Sequence, residues 1–411
     1  MQATSTLSAR SLHYLELEEK YGAHNYHPIP VVLDRGAGVH VWDVDGRCYY
    51  DCLSGYSAVN QGHCHPRIVA ALQEQASRLT LTSRAFHSNI LGEFAQYITA
   101  YFGYDKVLPM NSGAEAVETA LKLCRRWGYQ VKGIPENKAK IIVCANNFHG
   151  RTTTVISFST DPDSNRRFGP YTPGFVIIPF NDQSSLAHAL EDPLVAGFLV
   201  EPIQGEAGVV VPDEGYLHYA RQRCEEANVL FIADEIQTGL GRTGRMLACD
   251  HEIVRPDILI LGKALSGGML PVSAVLADDS IMLTIRPGEH GSTYGGNPLA
   301  CKVAITALEV LKDQDLAGNA AVMGELFRKE LNSLQSPHIG LVRGKGLLNA
   351  IVIDHPRPDA AWELCLALKD NGLLAKPTHG DKIRLAPPLV ITREQLLECV
   401  DIIKQSLKVL D

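Results

Sequence analysis

Six apolar runs, at residues 141–145, 175–180, 197–203, 229–234, 257–262 and 272–277, alternate along the chain with polar or amphipathic segments. Runs of this length suit strands covered on both faces, and the amphipathic stretches between them suit crossover helices. The pattern therefore predicts an α/β domain around a mostly parallel sheet. Upstream, Val39-His-Val-Trp-Asp43 and Arg47-Cys-Tyr-Tyr-Asp51 flank the turn signal Asp45-Gly46, which predicts a β-hairpin. After about residue 313 helical patterns mix with short strands such as Leu347–Ile353. The expected organisation is a small α+β domain formed by both chain ends, residues 1–56 and 313–411, beside a large domain over 57–312.

Two of the runs end abruptly in an ionisable residue followed by small or polar ones: Val229-Leu-Phe-Ile-Ala-Asp234 and Asp257-Ile-Leu-Ile-Leu-Gly-Lys263. Buried parallel strands look like this where they open into a ligand crevice. An Asp and a Lys in one crevice suit pyridoxal phosphate chemistry, which needs an amine for the Schiff base and a carboxylate on the pyridine nitrogen. A structural ion pair, or two solvated strand ends, is the alternative that these segments alone leave open. The glycines around Lys263, Gly262 and Gly267-Gly268, point to close backbone approach rather than simple solvation.

Composition narrows the partners. With 411 residues, 45% hydrophobic and 20% charged, the chain can bury a core of two-domain size. A formal net charge of -8 provides no basic footprint for nucleic acid. No apolar stretch reaches the roughly 18 to 20 residues needed to span a bilayer, so a soluble intracellular protein is expected. Ten cysteines are too few for a disulfide scaffold of this size and suit a reducing compartment. His63-Cys64-His65 with Cys48 and Cys52 lacks paired metal-ligand spacing, and no metal is expected. Residues 1–15 contain Ser, Thr and Arg10 but no acid, resembling the end of a transit peptide, so cytoplasm and mitochondrial matrix both fit.

Three further segments carry candidate chemistry. Asn111-Ser112-Gly113-Ala114 enters a helix with Ala114, Val117, Leu121 and Cys124 on one face; its first turn suits a phosphate, or is an ordinary capped helix start. Glu289-His-Gly-Ser-Thr293-Tyr294 is a Gly-rich loop with hydroxyls able to bond phosphate oxygens. Asn147-Phe148-His149-Gly150-Arg151 follows a strand and presents a ring and a cation, with Phe148 either stacked on a cofactor or part of the core.

Taken in order, these motifs resemble the class III, subgroup II pyridoxal phosphate aminotransferases, from Tyr21 to the C-terminus, with the ornithine-using branch nearest. The resemblance is carried by Tyr21-Gly-Ala-His-Asn-Tyr26, Gly55-Tyr56-Ser-Ala-Val-Asn-Gln-Gly-His-Cys-His-Pro66, Glu201-Pro-Ile-Gln-Gly-Glu206, Ala233-Asp234-Glu-Ile-Gln237, Leu261-Gly-Lys263-Ala-Leu-Ser-Gly-Gly and Pro287-Gly-Glu-His-Gly-Ser-Thr293. It implies the fold type I architecture, with pyridoxal 5'-phosphate held by Lys263. Asp234 would sit at the ring nitrogen, Gln237 at the ring hydroxyl and Phe148 on the ring face. Ser112, Gly113 and Ala114 would cradle the phosphate. Thr293 would reach it from a neighbouring subunit, implying a homodimer or a higher assembly with interfacial active sites.

The resemblance also implies the reaction: L-ornithine and 2-oxoglutarate give L-glutamate 5-semialdehyde, which cyclises to pyrroline-5-carboxylate, and L-glutamate, by a ping-pong route through pyridoxamine phosphate. Tyr26 and Arg151 would hold the α-amino acid end of ornithine. Glu206 would mask Arg384 in that half-reaction and release it to clamp 2-oxoglutarate in the other, for which a planar guanidinium is suited. Tyr56 favours free ornithine over N-acetylornithine or 4-aminobutyrate. His149 occupies a place where ornithine-using members can carry a bulky aromatic and acetylornithine relatives a His. An acetylornithine or other ω-amino acid aminotransferase is the alternative within the class, and a catalytically silent scaffold that binds pyridoxal phosphate is the alternative outside it.

Overall fold

All six apolar runs are strands of one seven-stranded sheet. The computed structural model describes residues 7–411. Across the sheet the order is Lys106–Met110, Ser273–Ala277, Ile258–Leu261, Leu230–Asp234, Val195–Val200, Lys140–Cys144 and Phe175–Ile178. The strands from Ile258–Leu261 to Phe175–Ile178 are parallel, whereas Ser273–Ala277 is antiparallel to both its neighbours. Val195–Val200, Leu230–Asp234 and Ile258–Leu261 are buried at every position, as expected for strands covered on both faces. The seventh strand, Lys106–Met110, escapes the apolar pattern because Lys106 and Pro109 interrupt it. Its proline is tolerated because the strand lies at the sheet edge.

The helix Gly113–Gln130 lays Val117, Ala120, Leu121 and Cys124 against Ile141, Val143, Ile232 and Ile260 of the sheet. Burying each large aliphatic side chain contributes about 1.5 to 3 kcal/mol, so this face fixes the helix and the position of its N-terminus. The hairpin forms as expected, with His40–Asp43 paired to Cys48–Asp51. Leu373–Leu374 adds to it in parallel, joining the two ends of the chain. A separate antiparallel sheet takes the order Ile339–Lys345, Leu348–Ile353, Lys382–Leu385, Lys376–Thr378.

Arg242 ties these parts together. It is fully buried and donates from Nε (3.1 Å) and Nη2 (2.6 Å) to Asn60 Oδ1, and from Nη1 to the carbonyls of Leu347 (3.1 Å) and Pro387 (2.6 Å). One guanidinium thus satisfies acceptors from three distant segments. Arg242→Met would orphan all three, each at a cost of about 1 to 3 kcal/mol. We expect unfolding free energy to fall by about 3 kcal/mol or more, read as a lower guanidinium midpoint; an unchanged midpoint would show that these acceptors are satisfied in another way.

Among the described residues no helix is long and apolar enough to cross a membrane, and no group of three or more His, Cys, Asp or Glu is arranged to hold a metal. His63 instead meets Asp51 at 2.7 Å. All ten cysteines are free thiols. Of the transit-like stretch 1–15, residues 1–6 lie outside the described residues, while Ala9–Tyr21 is a helix capped by Ser8, whose Oγ accepts from the Ser11 amide.

Candidate active site

The parallel strands place their C-terminal ends along one edge of the sheet, where ligands bind in open α/β folds. Asp234 ends Leu230–Asp234, Glu201 directly follows Val195–Val200, and Phe148 and His149 lie in the loop after Lys140–Cys144. Lys263 follows Ile258–Leu261 across Gly262 and starts a 3-10 turn, itself at φ +44°. All of these line one cavity of about 200 Å³, with Gly113, Ala114, Glu206 and Gln237.

At the helix start, Ser112 Oγ accepts from the Glu115 amide and Glu115 Oε2 accepts from the amides of Asn111 and Ser112. This capping box leaves the Gly113 and Ala114 amides, which take no part in it, at the positive end of an 18-residue helix. Ser112 lies at the rim, in an adjoining hollow shared with Gly113 and Lys263.

Asp234 is 4% exposed, and its two oxygens accept from different donors: Oδ2 from His149 Nδ1 at 2.6 Å and Oδ1 from the Ile236 amide at 3.1 Å. Burial pulls the Lys263 pKa below the ordinary lysine range; Arg384 works in the same direction, against Glu206, Asp234 and Glu201. A lowered amine is the form a nucleophile or proton carrier needs.

Glu206 accepts from Arg384 Nη1 at 2.5 Å and from Gln237 Nε2 at 3.3 Å. Burial would raise its pKa, but the Arg384 charge and hydrogen bond, aided by Lys263 and Gln237, hold it below the usual carboxylate value. Gln237 is set by Gly205 opposite, where any Cβ would fall 1.4 Å from Gln237 Oε1. Arg384 also lies 4.7 Å from the Tyr56 ring centre. Tyr56 sits in an unusual left-handed turn: Ser54, Gly55, Tyr56 and Ser57 all hold φ between +52° and +69°. Such a turn is costly for L-residues. It is held by Asp51 Oδ1, which accepts from the Leu53 and Ser54 amides, and by Ser54 Oγ, which donates to the Ala386 carbonyl.

Thus Gly113, Ala114, Phe148, Glu206, Asp234, Gln237 and Lys263 share one cavity, with Ser112 at its rim and Tyr56 and Arg384 reached through Glu206. Arg151 is exposed and does not line the cavity, its guanidinium 5.7 Å from the Phe148 ring centre. Tyr26 is 71% exposed and lies in a hollow beside the helix Ala9–Tyr21, near enough to Tyr56 to influence its ionisation. Thr293 is exposed and does not line the cavity of its own chain. Sequence reasoning gave no role to Glu201 or His149. Glu201 follows the same strand-end pattern as Asp234, a signal available in Phe198-Leu-Val-Glu201. Burial, aided by Asp234 and opposed by His149, pushes the Glu201 pKa up to about 7.

Pyridoxal phosphate fits this donor set. A buried amine and a buried carboxylate face one cavity, a helix start faces it from the side, and Gln237 Oε1 and His149 Nε2 are buried with no partner. A phosphorylated pyridine aldehyde has a complement for the amine, the carboxylate and the helix amides.

Comparison with known proteins leads to the same place. The family model for class-III aminotransferases matches residues 21–407. The mitochondrial ornithine aminotransferase of Rattus norvegicus is 64% identical over 397 residues, 97% of this chain and 90% of that protein. A structure of ornithine aminotransferase from Toxoplasma gondii, reported with partial occupancy of PLP at its active site, superposes with a TM-score of 0.95 at 50% identity, covering 97% of this chain and 94% of that one. A structure of acetylornithine aminotransferase from Elizabethkingia anophelis superposes with a TM-score of 0.89 at 61% identity, covering 97% and 99%. With a family match over nearly its whole length and the cavity such chemistry needs, the chain belongs to the class-III aminotransferases.

Proposed function

We propose that this chain is an ornithine δ-aminotransferase that uses pyridoxal phosphate to convert L-ornithine and 2-oxoglutarate into L-glutamate 5-semialdehyde and L-glutamate. The observation that supports a terminal amine as the reacting group is the closed Glu206–Arg384 pair beside a cavity holding Lys263 and Asp234, and the 64% identity to the rat ornithine aminotransferase supports ornithine as its source. Bound pyridoxal phosphate supplies an aldehyde that condenses with amines and a ring that accepts the electron pair left when a carbon–hydrogen bond breaks.

The chain's residues do the rest. The Gly113 and Ala114 amides with Ser112 would bind the phosphate, Phe148 would cover the ring, Asp234 would hold the ring nitrogen's proton and Gln237 would meet the ring hydroxyl. Lys263 Nζ carries the proton that leaves the substrate carbon. Ornithine must enter with its far amine at the reacting position. Glu206 makes this orientation selective, because it neutralises the cation that would otherwise seize a carboxylate there. Tyr26, Tyr56 and Arg151 then hold the α-amino acid end. When 2-oxoglutarate replaces ornithine, its α-carboxylate displaces Glu206 from Arg384, and Arg151 takes the distal carboxylate.

Exposure of Tyr21, Tyr26, Phe86 and Tyr294 supports a covered face in a homodimer, with Thr293 completing the neighbour's phosphate site. The two-part division into 1–56 with 313–411 and 57–312, an intracellular site in cytoplasm or mitochondrial matrix, and a role in arginine metabolism and proline biosynthesis go with this proposal.

The test is the visible spectrum of the cofactor-loaded protein with L-ornithine and no keto acid. The expected result is loss of the visible band, restored by 2-oxoglutarate, with at least a tenfold preference for ornithine over N-acetylornithine, roughly the discrimination available from about 1.4 kcal/mol. The likeness to the Elizabethkingia enzyme and the His at position 149 favour a second reading, an acetylornithine aminotransferase; a band that ignores ornithine and responds to N-acetylornithine would establish it.

A further inference from the structure

We propose that Asp51, oriented by His63, is a positioning residue that holds Tyr56 over Arg384 and so sets the site's preference for ornithine, an inference that rests on the function proposed above and deepens it. Neither Asp51 nor His63 lines the cavity, and the proposed reaction gives no role to the motif His63-Cys64-His65. Ser54, Gly55, Tyr56 and Ser57 follow one another at φ +52°, +55°, +59° and +69°. Only the glycine takes this conformation freely. For the three L-residues around it a right-handed backbone is the more favourable one, so the turn unwinds unless its start is fixed from outside. Asp51 fixes it: Oδ1 accepts from the amides of Leu53 (2.8 Å) and Ser54 (2.9 Å) and turns both N–H groups back toward the preceding strand.

The same turn is tied to the strand that carries Arg384. Ser54 Oγ donates to the Ala386 carbonyl at 2.6 Å, and the Ala386 amide donates to the Cys52 carbonyl at 2.7 Å. With the turn so fixed, the Arg384 guanidinium lies 4.7 Å from the Tyr56 ring centre, within the reach of a cation–π contact. Unwinding would carry the ring off that guanidinium.

Asp51 is itself held. It is 8% exposed, and Oδ2, the oxygen that the two amides leave free, meets His63 Nε2 at 2.7 Å. Since an ionised carboxylate only accepts, Nε2 carries the hydrogen. The His63 backbone pairs with Gly38, N–H to carbonyl in both directions at 2.8 and 3.0 Å. Its ring packs on Gly36, where a Cβ would fall 2.9 Å from His63 Cβ, Cγ and Nδ1. A continuous set of contacts thus runs from the strand Leu33–Ala37 through His63, Asp51 and the left-handed turn to Tyr56 and Arg384.

The experiment measures kcat/KM for L-ornithine and for 4-aminobutyrate in the cofactor-loaded parent, Asp51→Ala, Asp51→Asn, Tyr56→Leu and the double variant Asp51→Ala with Tyr56→Leu. 4-Aminobutyrate shares the terminal amine and lacks the α-amino group, so general damage to the site lowers both values and leaves their ratio unmoved. Asp51→Ala is expected to lower the ratio by about tenfold, chiefly through a higher KM for ornithine. In Asp51→Asn, Oδ1 still accepts from both amides, and His63 Nε2 accepts from the new amide in the other tautomer. Its ratio should stay within about threefold of the parent. Once Tyr56 is gone, Asp51→Ala should lower the ratio no further, because residues that act as one unit are not additive. A ratio in Asp51→Ala within about twofold of the parent would overturn the inference, as would an equal loss with and without Tyr56. If Asp51→Ala does not fold, His63→Phe decides: a ratio lowered by about threefold or more supports the inference, and an unchanged ratio overturns it. A parent that transaminates no ornithine would overturn the proposed function and this inference with it. A parent that prefers ornithine, with a ratio that Asp51→Ala leaves unmoved, would overturn this inference alone.

Discussion

Lys263→Ala is expected to reduce transamination by about 10⁴-fold or more, because in the proposed mechanism one substitution removes both the amine that anchors the cofactor and the base that carries the substrate proton. The fold should survive it. The Lys263 pKa is lowered in the folded protein, chiefly by burial, so the protonated side chain is less favourable folded than unfolded. The sign follows: between the lowered folded value and the ordinary lysine range the unfolded chain binds more protons, and stability rises with pH through that window. Below it, the buried ammonium detracts from stability in full. The apo variant should therefore be at least as stable as the apo parent, and should lack the parent's gain in stability as pH rises toward the lysine range. Thermal melts of both apoproteins across that range, with steady-state turnover of the loaded proteins, check both halves. Turnover within tenfold of the parent would remove Lys263 from the chemistry, and a variant that fails to fold would show a structural role instead.

The sheet is legible in the sequence because strands buried on both faces need unbroken apolar runs, and Val195–Val200 or Ile258–Leu261 can hardly be read otherwise. Strand direction is not written in such runs, so the antiparallel course of Ser273–Ala277 appears only in the structure. Lys106–Met110 stays hidden because an edge strand tolerates the lysine and proline that break its pattern. Asp234 and Lys263 stand out because each interrupts an apolar run where the chain leaves the sheet. Glu206 and Arg384 do not: their pairing joins positions 178 residues apart, and only family resemblance connects them in the sequence. His149 is hidden for a different reason. Its partner is an Asp whose own role is conspicuous, and nothing in local spacing shows that a residue 85 positions earlier is bonded to it. Tyr26 and Thr293 are named by the resemblance alone, and both stand exposed on the single chain.

Arg384→Gln is expected to separate the two half-reactions. Glutamine cannot present a charged fork to the α-carboxylate of 2-oxoglutarate, and losing charge-assisted hydrogen bonds of about 1.5 to 3 kcal/mol each should slow the keto-acid half-reaction by about 10²- to 10³-fold. In the proposed mechanism ornithine chemistry proceeds with Arg384 masked, so its single-turnover rate should fall by less than about tenfold. Acid does not open this gate at neutral pH. The Glu206 pKa is depressed, so the pair's contribution to stability is present above the ordinary carboxylate range and is lost only as pH falls through the depressed value. Release must come from competition by the substrate carboxylate for the guanidinium, whose Nε is buried without a partner in the closed state. Removing Arg384 leaves Glu206 with burial as its dominant influence, and its pKa should rise. The ornithine half-reaction of the variant should then acquire a pH dependence on the acid side that the parent lacks. Stopped-flow measurement of each half-reaction from pH 5 to 8 tests all three points, and equal losses in both halves would show that Arg384 maintains the site as a whole instead of gating one substrate.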